Sequence, residues 1–294
     1  MHFSGFCYKW CKSIFVADFL FLSLIYIVGC IWPGRASNPG SPAVNLKIIT
    51  WNLEHFGSNN DSTIRELAAA MLKMDCDLFC LQEIENTDSF DVLLSYMPGY
   101  SGICSPDTYS DTTWYQKTGL IYRNDYIKTD SVKSIFTESP FPFIRPPLQV
   151  KINAGQFFDF YLIEWHLKSH NAGYQKNAVE DMKFYLDSLI RVGEEKDVIL
   201  LGDWNCEIYW NTGNSPLYIF KNDSENYIFL TDSLEKNNRA SHISGSFWDH
   251  ILVSSGVLEV YGNNITEVIA VDSITDIKLS DHFPVMAEFK QVND

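Results

Sequence analysis

Short apolar runs alternate with polar segments along most of this chain of 294 residues. Runs rich in Val, Ile, Leu and aromatic residues are typical of buried strands, because both faces of such a strand are covered. Two longer segments instead place apolar residues three and four positions apart, which is the spacing of one helix face. The pattern predicts strands at 46–51, 78–84, 119–122, 148–152, 157–165, 197–201, 247–254 and 285–289, and helices at 62–74 and 173–192.

The first 32 residues differ in pattern from the rest of the chain. Ile14–Trp32 carries a single charge, Asp18, and two lysines precede it. A basic lead before an apolar stretch predicts an export signal or a membrane anchor. The stretch contains Val28-Gly29-Cys30, which resembles a bacterial lipoprotein signal with the lipid on Cys30. An uncleaved anchor and an ordinary cleaved signal are the alternatives, and all three predict an exported protein that is membrane-anchored at the cell envelope or secreted.

Residues 33–45 contain the run PGRASNPGSP, whose Pro, Gly and Ser content predicts a flexible linker. We therefore expect the folded part to begin at Leu46. Since no second linker interrupts residues 46–291, a single domain of about 250 residues is expected there. Many strands combined with few helices indicate an α/β or α+β sandwich.

The charge of the chain limits its functions. It contains 37 acidic residues against 22 Lys and Arg, which gives a formal net charge of -15. This balance argues against a protein that grips nucleic acid through a broad basic surface. It is compatible with an enzyme that holds a phosphate through a metal ion, because acidic side chains bind such an ion.

Four cysteines fall in the predicted domain: Cys76, Cys80, Cys104 and Cys206. Their spacing contains no paired CxxC of the kind that binds zinc. In an exported enzyme they could form one or two disulfides. Buried free thiols are the other interpretation, and the spacing does not decide between the two.

Polar side chains cluster where the predicted strands stop. The set comprises Asn52, Glu54, Gln82, Glu83, His166, Asp203, Asn205, Asp249, Asp281 and His282. Loops at strand ends are where a rigid sheet presents functional groups. Carboxylates are hard ligands that suit Mg²⁺, Mn²⁺ or Ca²⁺ rather than zinc, and two histidines add acid–base capacity near neutral pH. Together these groups suit metal-assisted hydrolysis of a phosphate ester.

Six short motifs occur in order along the domain. They are TWNL at 50–53, LQEI at 81–84, HLKS at 166–169, GDWN at 202–205, WDHI at 248–251 and SDHFPV at 280–285. Each one alone is weak, but the ordered set resembles that of the endonuclease/exonuclease/phosphatase superfamily. That superfamily includes deoxyribonuclease-I-like enzymes, apurinic endonucleases, neutral sphingomyelinases and inositol-polyphosphate 5-phosphatases. The resemblance covers Leu46 to Lys290.

This resemblance implies a four-layer sandwich of two packed mixed β-sheets flanked by helices, with the active site at one edge. It implies a divalent-metal-dependent phosphoester hydrolase that uses Mg²⁺, with Mn²⁺ or Ca²⁺ as alternatives. The export prediction and the HLKS-type histidine favour a deoxyribonuclease-I-like endonuclease that acts on DNA as a monomer. A sphingomyelinase-like or inositol-phosphate-type phosphodiesterase or phosphatase is the alternative, because a membrane tether would place the enzyme beside lipid.

The resemblance also implies roles for the residues of the metal side. Glu83 would be the main metal ligand. Asn52 would bind the metal directly or stand just behind its ligands, and it would orient Glu83 or a phosphate oxygen. Asp281 would be a second carboxylate on the metal side. Asp249 would hydrogen-bond His282, fix its tautomer and raise its basicity.

The identity of the general base is left open by the resemblance. His282 would activate water or bind the scissile phosphate, and Asp203 is the other candidate base. Asn205 would donate to a non-bridging oxygen as charge develops in the transition state. His166 would stand near the leaving group.

Several other residues have separate interpretations. Arg145 precedes a predicted strand and resembles the phosphate-contacting Arg of the family, with a surface Arg in a Pro-rich turn as the alternative. We expect His250 to be structural, and His170 and His242 to lie at the surface. The segment 141–143 (FPF) is the nearest candidate for insertion into a bilayer, and it is short.

Overall fold

The computed structural model describes residues 45–290 except for 58–60, 107–115, 140, 156, 169–171, 194, 211–213 and 262–264. The predicted export signal or anchor at 1–32 lies outside the described residues, and so does the predicted linker apart from Asn45. Within the described ranges, no helix combines the length and the apolar character needed to cross a bilayer.

The first part of the fold alternates strands with helices. In chain order it contains β1 (Asn45–Phe56), α1 (Asp61–Met74), β2 (Leu78–Ile84), α2 (Thr87–Ser95), β3 (Tyr100–Cys104) and β4 (Lys117–Arg123). Apolar residues at three- and four-residue spacing form the buried face of α1, as the sequence predicts. In α2, Asn86 caps the first turn by accepting a hydrogen bond from the backbone N–H of Ser89.

The second part of the fold is richer in strands. It contains β5 (Lys128–Ser134), β6 (Leu148–Asn153), β7 (Asp159–His166), α3 (Ala172–Val192), β8 (Val198–Asp203), α4 (Tyr218–Lys221), β9 (Tyr227–Phe229), α5 (Asp232–Lys236), β10 (Asp249–Ser254), β11 (Thr266–Val268) and β12 (Val285–Lys290). Two 3₁₀ turns, Ser255–Glu259 and Val271–Ser273, flank β11.

These strands form two six-stranded sheets. Sheet 1 has the order β11-β12-β1-β2-β4-β3, and sheet 2 has the order β5-β6-β7-β8-β10-β9. Strand β1 is parallel to β2 and β7 is parallel to β8, whereas their other neighbours are antiparallel. A parallel pair needs a crossover connection, and α1 and α3 provide it in the two sheets.

Apolar side chains cover both faces of the central strands. Along β1, Ile48 belongs to a core that both sheets share, whereas Ile49 packs with α1 and α2. Helix α3 covers the outer face of sheet 2, where Met182 packs in one cluster with Ile163 and Leu200. The order of layers is therefore helix, sheet, sheet, helix, and the predicted sandwich of two mixed sheets is confirmed.

The elements that the pattern does not predict are short or polar: α2, α4, α5, β3, β5, β9 and β11. Strand β5 is largely exposed along its sequence KTDSVKS, so no buried face imposes an apolar pattern on it. Strands β1 and β8 also extend beyond their predicted ends, to Phe56 and Asp203. Polar motif residues therefore continue the strands rather than follow them.

Cys76, Cys80 and Cys206 are free thiols. Burial raises the pKa of each of the three, which keeps them protonated and unreactive. The disulfide interpretation does not apply to these three residues.

Candidate active site at the edge of the two sheets

The carboxyl ends of the two parallel strand pairs supply the centre of the site. In sheet 1, β1 contributes Asn52 and β2 contributes Glu83. In sheet 2, His166 at the end of β7 is in register with Asp203 at the end of β8. The carboxyl end of parallel strands is the usual position of a ligand site in such sheets.

The backbone leaves regular strand geometry at these positions. Glu83 has a φ of 63° and Asn205 a φ of 49°, in the left-handed region that L residues rarely adopt. Gly202 has a φ of 140°, and a Cβ there would collide with the carbonyl oxygen of Trp165. The glycine of the GDWN motif therefore allows β8 to approach β7 closely beside His166.

The amide of Asn52 joins the two sheets. Its Nδ2 donates to Glu83 Oε1 at 3.2 Å and to Asp203 Oδ2 at 3.0 Å. Its Oδ1 accepts a hydrogen bond from the backbone N–H of Glu54 at 3.0 Å, which fixes the orientation of the amide. In this geometry Asn52 positions both carboxylates with its nitrogen.

Glu83 is held from several sides. Its Oε2 accepts the backbone N–H of His55 at 2.9 Å. Its Oε1 lies 3.8 Å from Nε2 of His166 in sheet 2. The side chain is still 16% exposed, so this carboxylate can reach a ligand from solvent.

His282 lies between two carboxylates. Its Nδ1 is 2.8 Å from Asp249 Oδ2, and its Nε2 is 3.7 Å from Asp203 Oδ2. Burial alone would lower the pKa of His282, but the charges of Asp249 and Asp203 outweigh burial and raise it to about 10. The ring is fixed by its own backbone, since its N–H donates to Ser280 Oγ and its carbonyl accepts from the indole of Trp51.

Asp203 is fully buried. Burial raises the pKa of Asp203 to about 7, although the positive charge of His282 opposes the rise. Its Oδ1 accepts the backbone N–H of Asn205 at 2.8 Å. Asn205 in turn donates from Nδ2 to the carbonyl of Leu167 at 2.9 Å, which leaves the second hydrogen of that amide for a further acceptor.

His166 has the opposite electrostatic behaviour to His282. Burial lowers the pKa of His166, and the charge of Arg145 lowers it further. Its Nε2 lies 3.5 Å from Asp203 Oδ2, whereas its buried Nδ1 has no hydrogen-bond partner among the residues that the structure describes. A neutral histidine and a positively charged one therefore both lie within 4 Å of Asp203 Oδ2.

Arg145 lies on the His166 flank of the site. Its guanidinium donates to Gln116 Oε1 at 2.6 Å, and Gln116 Nε2 donates to Glu85 Oε1 at 3.3 Å. Glu85 also bonds the ring of His55 at 2.6 Å, and this bond raises the pKa of His55. Gln116 and Glu85 belong to no motif, so the sequence predicted Arg145 but neither of these two residues.

The prediction for His242 was wrong. Its ring is largely buried against Trp248 and His282, at centroid distances of 4.5 Å and 4.7 Å. Its Nε2 lies 3.3 Å from Asp281 Oδ2, and its Nδ1 accepts from the backbone N–H of Ser244 at 3.1 Å. His242 precedes β10 in an irregular loop, so no periodicity indicated its position. His170 lies outside the described residues.

His250 is buried behind the site, as a structural residue would be. Its Nδ1 is 3.1 Å from Thr231 Oγ1, and its Nε2 is 3.0 Å from the carbonyl oxygen of Cys206. Burial lowers the pKa of His250 to about 4, so the ring is neutral. These contacts use both nitrogens of the ring.

The donor groups of the site fit a divalent cation. Glu83 and Asp203 are two carboxylates held on one amide, and a cation beside Glu83 would offset their mutual repulsion. Asn52 turns its nitrogen toward these carboxylates, so it orients a ligand rather than serving as one in this arrangement. The contacts of Asp281 are instead with His242 and His282, and ligand atoms of these three residues lie within 4.8 Å of one another.

The comparison with protein families agrees with this geometry. The model of the Endonuclease/Exonuclease/phosphatase family matches residues 49–282, a range that spans the whole cluster. The chain belongs to this family. Members of the family hydrolyse phosphoester bonds and generally use divalent metal ions.

Two curated relatives resemble most of the chain. Deoxyribonuclease-1 of Gallus gallus is 23% identical over 273 residues, and deoxyribonuclease-1-like 2 of Mus musculus is 25% identical over 271 residues. Each match covers 84% of this chain and 93% of the relative. A solved structure of D. rerio TDP2 complexed with single strand DNA product has a TM-score of 0.63 and 17% identity, covering 84% of this chain and all of that one. That structural likeness supports the fold.

Proposed function

We propose that this protein is a divalent-metal-dependent phosphodiesterase that cuts nucleic acid, most similar in action to a deoxyribonuclease-I-like endonuclease. The observation that carries the proposal is the amide of Asn52, which joins Glu83 of one sheet to Asp203 of the other. The carboxylate of Asp203 also lies within 4 Å of His166 and His282. The similarity to two deoxyribonucleases over most of the chain supports nucleic acid as the substrate class.

The proposed metal ion is Mg²⁺, with Mn²⁺ as a substitute and Ca²⁺ as a further candidate. Oxygen donors such as Glu83 suit these hard cations. When bound beside Glu83, the ion would polarise the scissile phosphate and neutralise part of its charge. Asn52 would hold the carboxylate of Glu83 in the orientation that this binding needs. Asp281 would contribute negative charge from the His282 side.

Asp203 and His282 would divide the roles of general base and positively charged phosphate contact. His282, held as an imidazolium by Asp249, can bind a non-bridging oxygen of the phosphate. Asp203 then accepts the proton of the attacking water, since a base works best with a pKa near the working pH. The reverse assignment, with His282 as base, would require His282 to lose its proton between two carboxylates.

The remaining groups act on the substrate oxygens. Asn205 can donate its second amide hydrogen to a non-bridging oxygen as negative charge develops there. His166 is neutral and can donate to the leaving oxygen from Nε2. Arg145 can bind a neighbouring phosphate with two N–H groups, and its charge already acts on His166.

The first experiment offers the purified protein four substrates in parallel: supercoiled plasmid DNA, RNA, sphingomyelin and inositol polyphosphates. With Mg²⁺ or Mn²⁺ present we expect nicked plasmid, and with EDTA no nicking. Turnover of sphingomyelin or an inositol phosphate without cleavage of DNA or RNA would disprove the nuclease assignment.

A sphingomyelinase-like or inositol-phosphate-type activity is the second candidate. An apolar cavity of about 260 Å³ beside His282 favours a substrate with an apolar group. It is lined in part by Trp51, Val271 and Leu279, and exposed Ile243 and Ile277 lie at its rim. The substrate panel decides between the two candidates.

We further propose that residues 1–32 export the chain and that residues 33–45 tether it, with the lipid on Cys30. The apolar stretch and the Val28-Gly29-Cys30 sequence support this proposal. Growth with a palmitate analogue should label the wild-type protein and leave Cys30→Ser unlabelled. Label retained in Cys30→Ser would exclude lipidation at that residue.

A further inference from the structure

Phe141 is a large aromatic side chain that stands in solvent on the flank of the site. It is 64% exposed, although a ring of this size is usually covered. The ring of Tyr174, at the start of α3, lies beside it at a centroid distance of 5.7 Å and an interplanar angle of 43°. The two rings lie side by side, and the ring of Phe141 leaves most of its surface in solvent.

The protein fixes the segment that carries Phe141. Two residues further on, Phe143 is buried and stacks on Phe136 with ring centroids 3.9 Å apart and ring planes within 4°. Phe143 also packs against Trp165, the residue before His166. The exposed position of Phe141 is therefore set by a well-anchored neighbour.

Residues that neighbour the aromatic pair link it to Asn205 and His166 of the candidate site. Gln175, the residue after Tyr174, donates from Nε2 to the carbonyl oxygen of Asn205 at 2.9 Å. Lys168, two residues after His166, places its ammonium group 5.5 Å from the centre of the Tyr174 ring. We therefore expect a substrate bound at His166 and Asn205 to extend toward these side chains.

Two cations lie on this flank although the whole chain carries -15. Lys168 lies over the Tyr174 ring, and Arg145 follows the anchored segment close enough to lower the pKa of His166. Aromatic faces interleaved with cations suit a ligand that has a negative backbone and flat rings. Insertion into a bilayer would favour a larger continuous apolar surface.

We propose that Phe141, Tyr174 and Lys168 form a stacking platform for an unpaired base next to the scissile phosphate. The platform rests on the proposed nuclease function and makes it more specific. A base can stack on a side chain only when it has left the duplex, so the preferred substrate is single-stranded or locally unpaired nucleic acid. Recognition is tolerant of base identity, because every base has a flat face.

Binding is tested in the Glu83→Gln background of the full chain, where cleavage is disabled. The probes are a fluorescein-labelled oligothymidylate and an abasic chain of the same length and charge. We expect tighter binding of the oligothymidylate, and an affinity about tenfold lower for it in Phe141→Ala and Tyr174→Ala. Binding of the abasic chain should be nearly unchanged in both variants.

The controls test whether binding depends on ring stacking, on the loss of any exposed phenylalanine, or on apolar contact alone. Phe184→Ala removes another exposed phenylalanine on α3, 76% exposed, and should bind like its parent. Phe141→Leu keeps an apolar side chain but lacks a flat face, so it should bind like Phe141→Ala, whereas Phe141→Trp should restore binding. Anisotropy titrations measure all of them.

Two outcomes would overturn the platform while leaving the nuclease assignment intact. One is a wild-type enzyme that nicks DNA while Phe141→Ala and Phe184→Ala bind oligothymidylate equally well. The other is loss of binding to phosphatidylglycerol vesicles in Phe141→Ala with oligothymidylate binding intact, which would assign the ring to a membrane. If the wild type cleaves neither DNA nor RNA, the proposed function fails, and the binding series still reports whether the platform holds bases.

Discussion

Sheet 1 and sheet 2 follow one plan but contribute different chemistry. In each, a parallel pair joined by a helix lies near the centre, with antiparallel strands on both sides. The pair of sheet 1 presents Asn52 and Glu83, and the pair of sheet 2 presents His166 and Asp203. Under the proposed function, the same topology would therefore form the cation side of the site in sheet 1 and its proton-transfer side in sheet 2.

The two sides differ in their contact with solvent. Glu83 is partly exposed, as a group that meets a hydrated cation must be, whereas Asp203 is 1% exposed. In sheet 2, burial raises the pKa of Asp203 and lowers the pKa of His166. Both shifts favour the neutral form of the side chain. A group that exchanges protons gains from a dry environment, and a group that recruits an ion gains from access.

The largest expected effect comes from the cation side. Glu83→Gln removes the charge that would hold the ion and keeps the shape of the side chain. We expect kcat on DNA to fall by about 10³-fold or more, since a bound cation contributes several kcal/mol to such reactions. The melting temperature should stay close to that of wild type. Glu180→Gln, on the surface of α3, is the matched control, and a Glu83 variant as active as that control would refute the metal role.

The next effect tests the histidine that joins the two sides. His282→Ala should lower kcat by about 10²- to 10⁴-fold, and Asp249→Asn by about 10²-fold or more, because Asp249 holds the charge and tautomer of His282. If Asp249 acts only through His282, the double variant should be no slower than His282→Ala alone. If the two single substitutions instead lower kcat by factors that multiply in the double variant, Asp249 has a separate role.

A smaller effect is expected for two buried histidines of sheet 2, one that we propose to be functional and one that is structural. His166 and His250 are both buried and neutral. The nitrogens of His250 contact Thr231 and Cys206, whereas Nδ1 of His166 has no partner within the described part of the chain. His166→Gln should lower kcat by about 10²-fold with little loss of stability. His250→Gln should cost about 1–3 kcal/mol of unfolding free energy, because it disturbs satisfied buried groups. Kinetics and urea titration of both variants check this, and the reverse pattern would exchange the two roles.

The sequence predicts the strands and the polar site residues well where an apolar run ends in a polar residue. Glu83 and Asp203 follow such runs, so both the strand and the functional side chain could be inferred from local pattern. The fold followed from the same runs together with the two helical periods. Elements without a buried face, such as β5, left no comparable pattern.

The contacts between distant parts of the chain could not be predicted in this way. The hydrogen bond from Asn52 to Asp203 joins residues 151 positions apart, and its geometry depends on how the sheets pack. His242 contacts Asp281 from an irregular loop. Gln116, the residue before β4, accepts a hydrogen bond from Arg145. In each case the partner is set by tertiary packing, which periodicity does not encode.

The smallest effect concerns a second contact between the sheets, deeper than the site. Gln82 of sheet 1 donates from Nε2 to Oε1 of Glu164 in sheet 2 at 3.1 Å, and Glu164 is fully buried. Burial raises the pKa of Glu164 well above its usual range. The folded protein therefore holds this proton at pH values where the unfolded chain, with a pKa of about 4.3, has released it. Stability from this residue is fully present below about pH 4.3 and declines as pH rises toward the folded pKa.

Glu164→Gln removes this pH dependence, because the amide does not ionise. The variant should match wild type near pH 5 and exceed it at pH 8 by about 1–3 kcal/mol, the usual cost of a poorly paired buried group. Urea titrations at both pH values measure the difference, and Glu225→Gln at the surface should show none. An advantage of the Gln variant that stayed constant from pH 5 to pH 8 would mean that Glu164 does not titrate in this range. Its link to Gln82 would then be a purely neutral hydrogen bond between the two sheets.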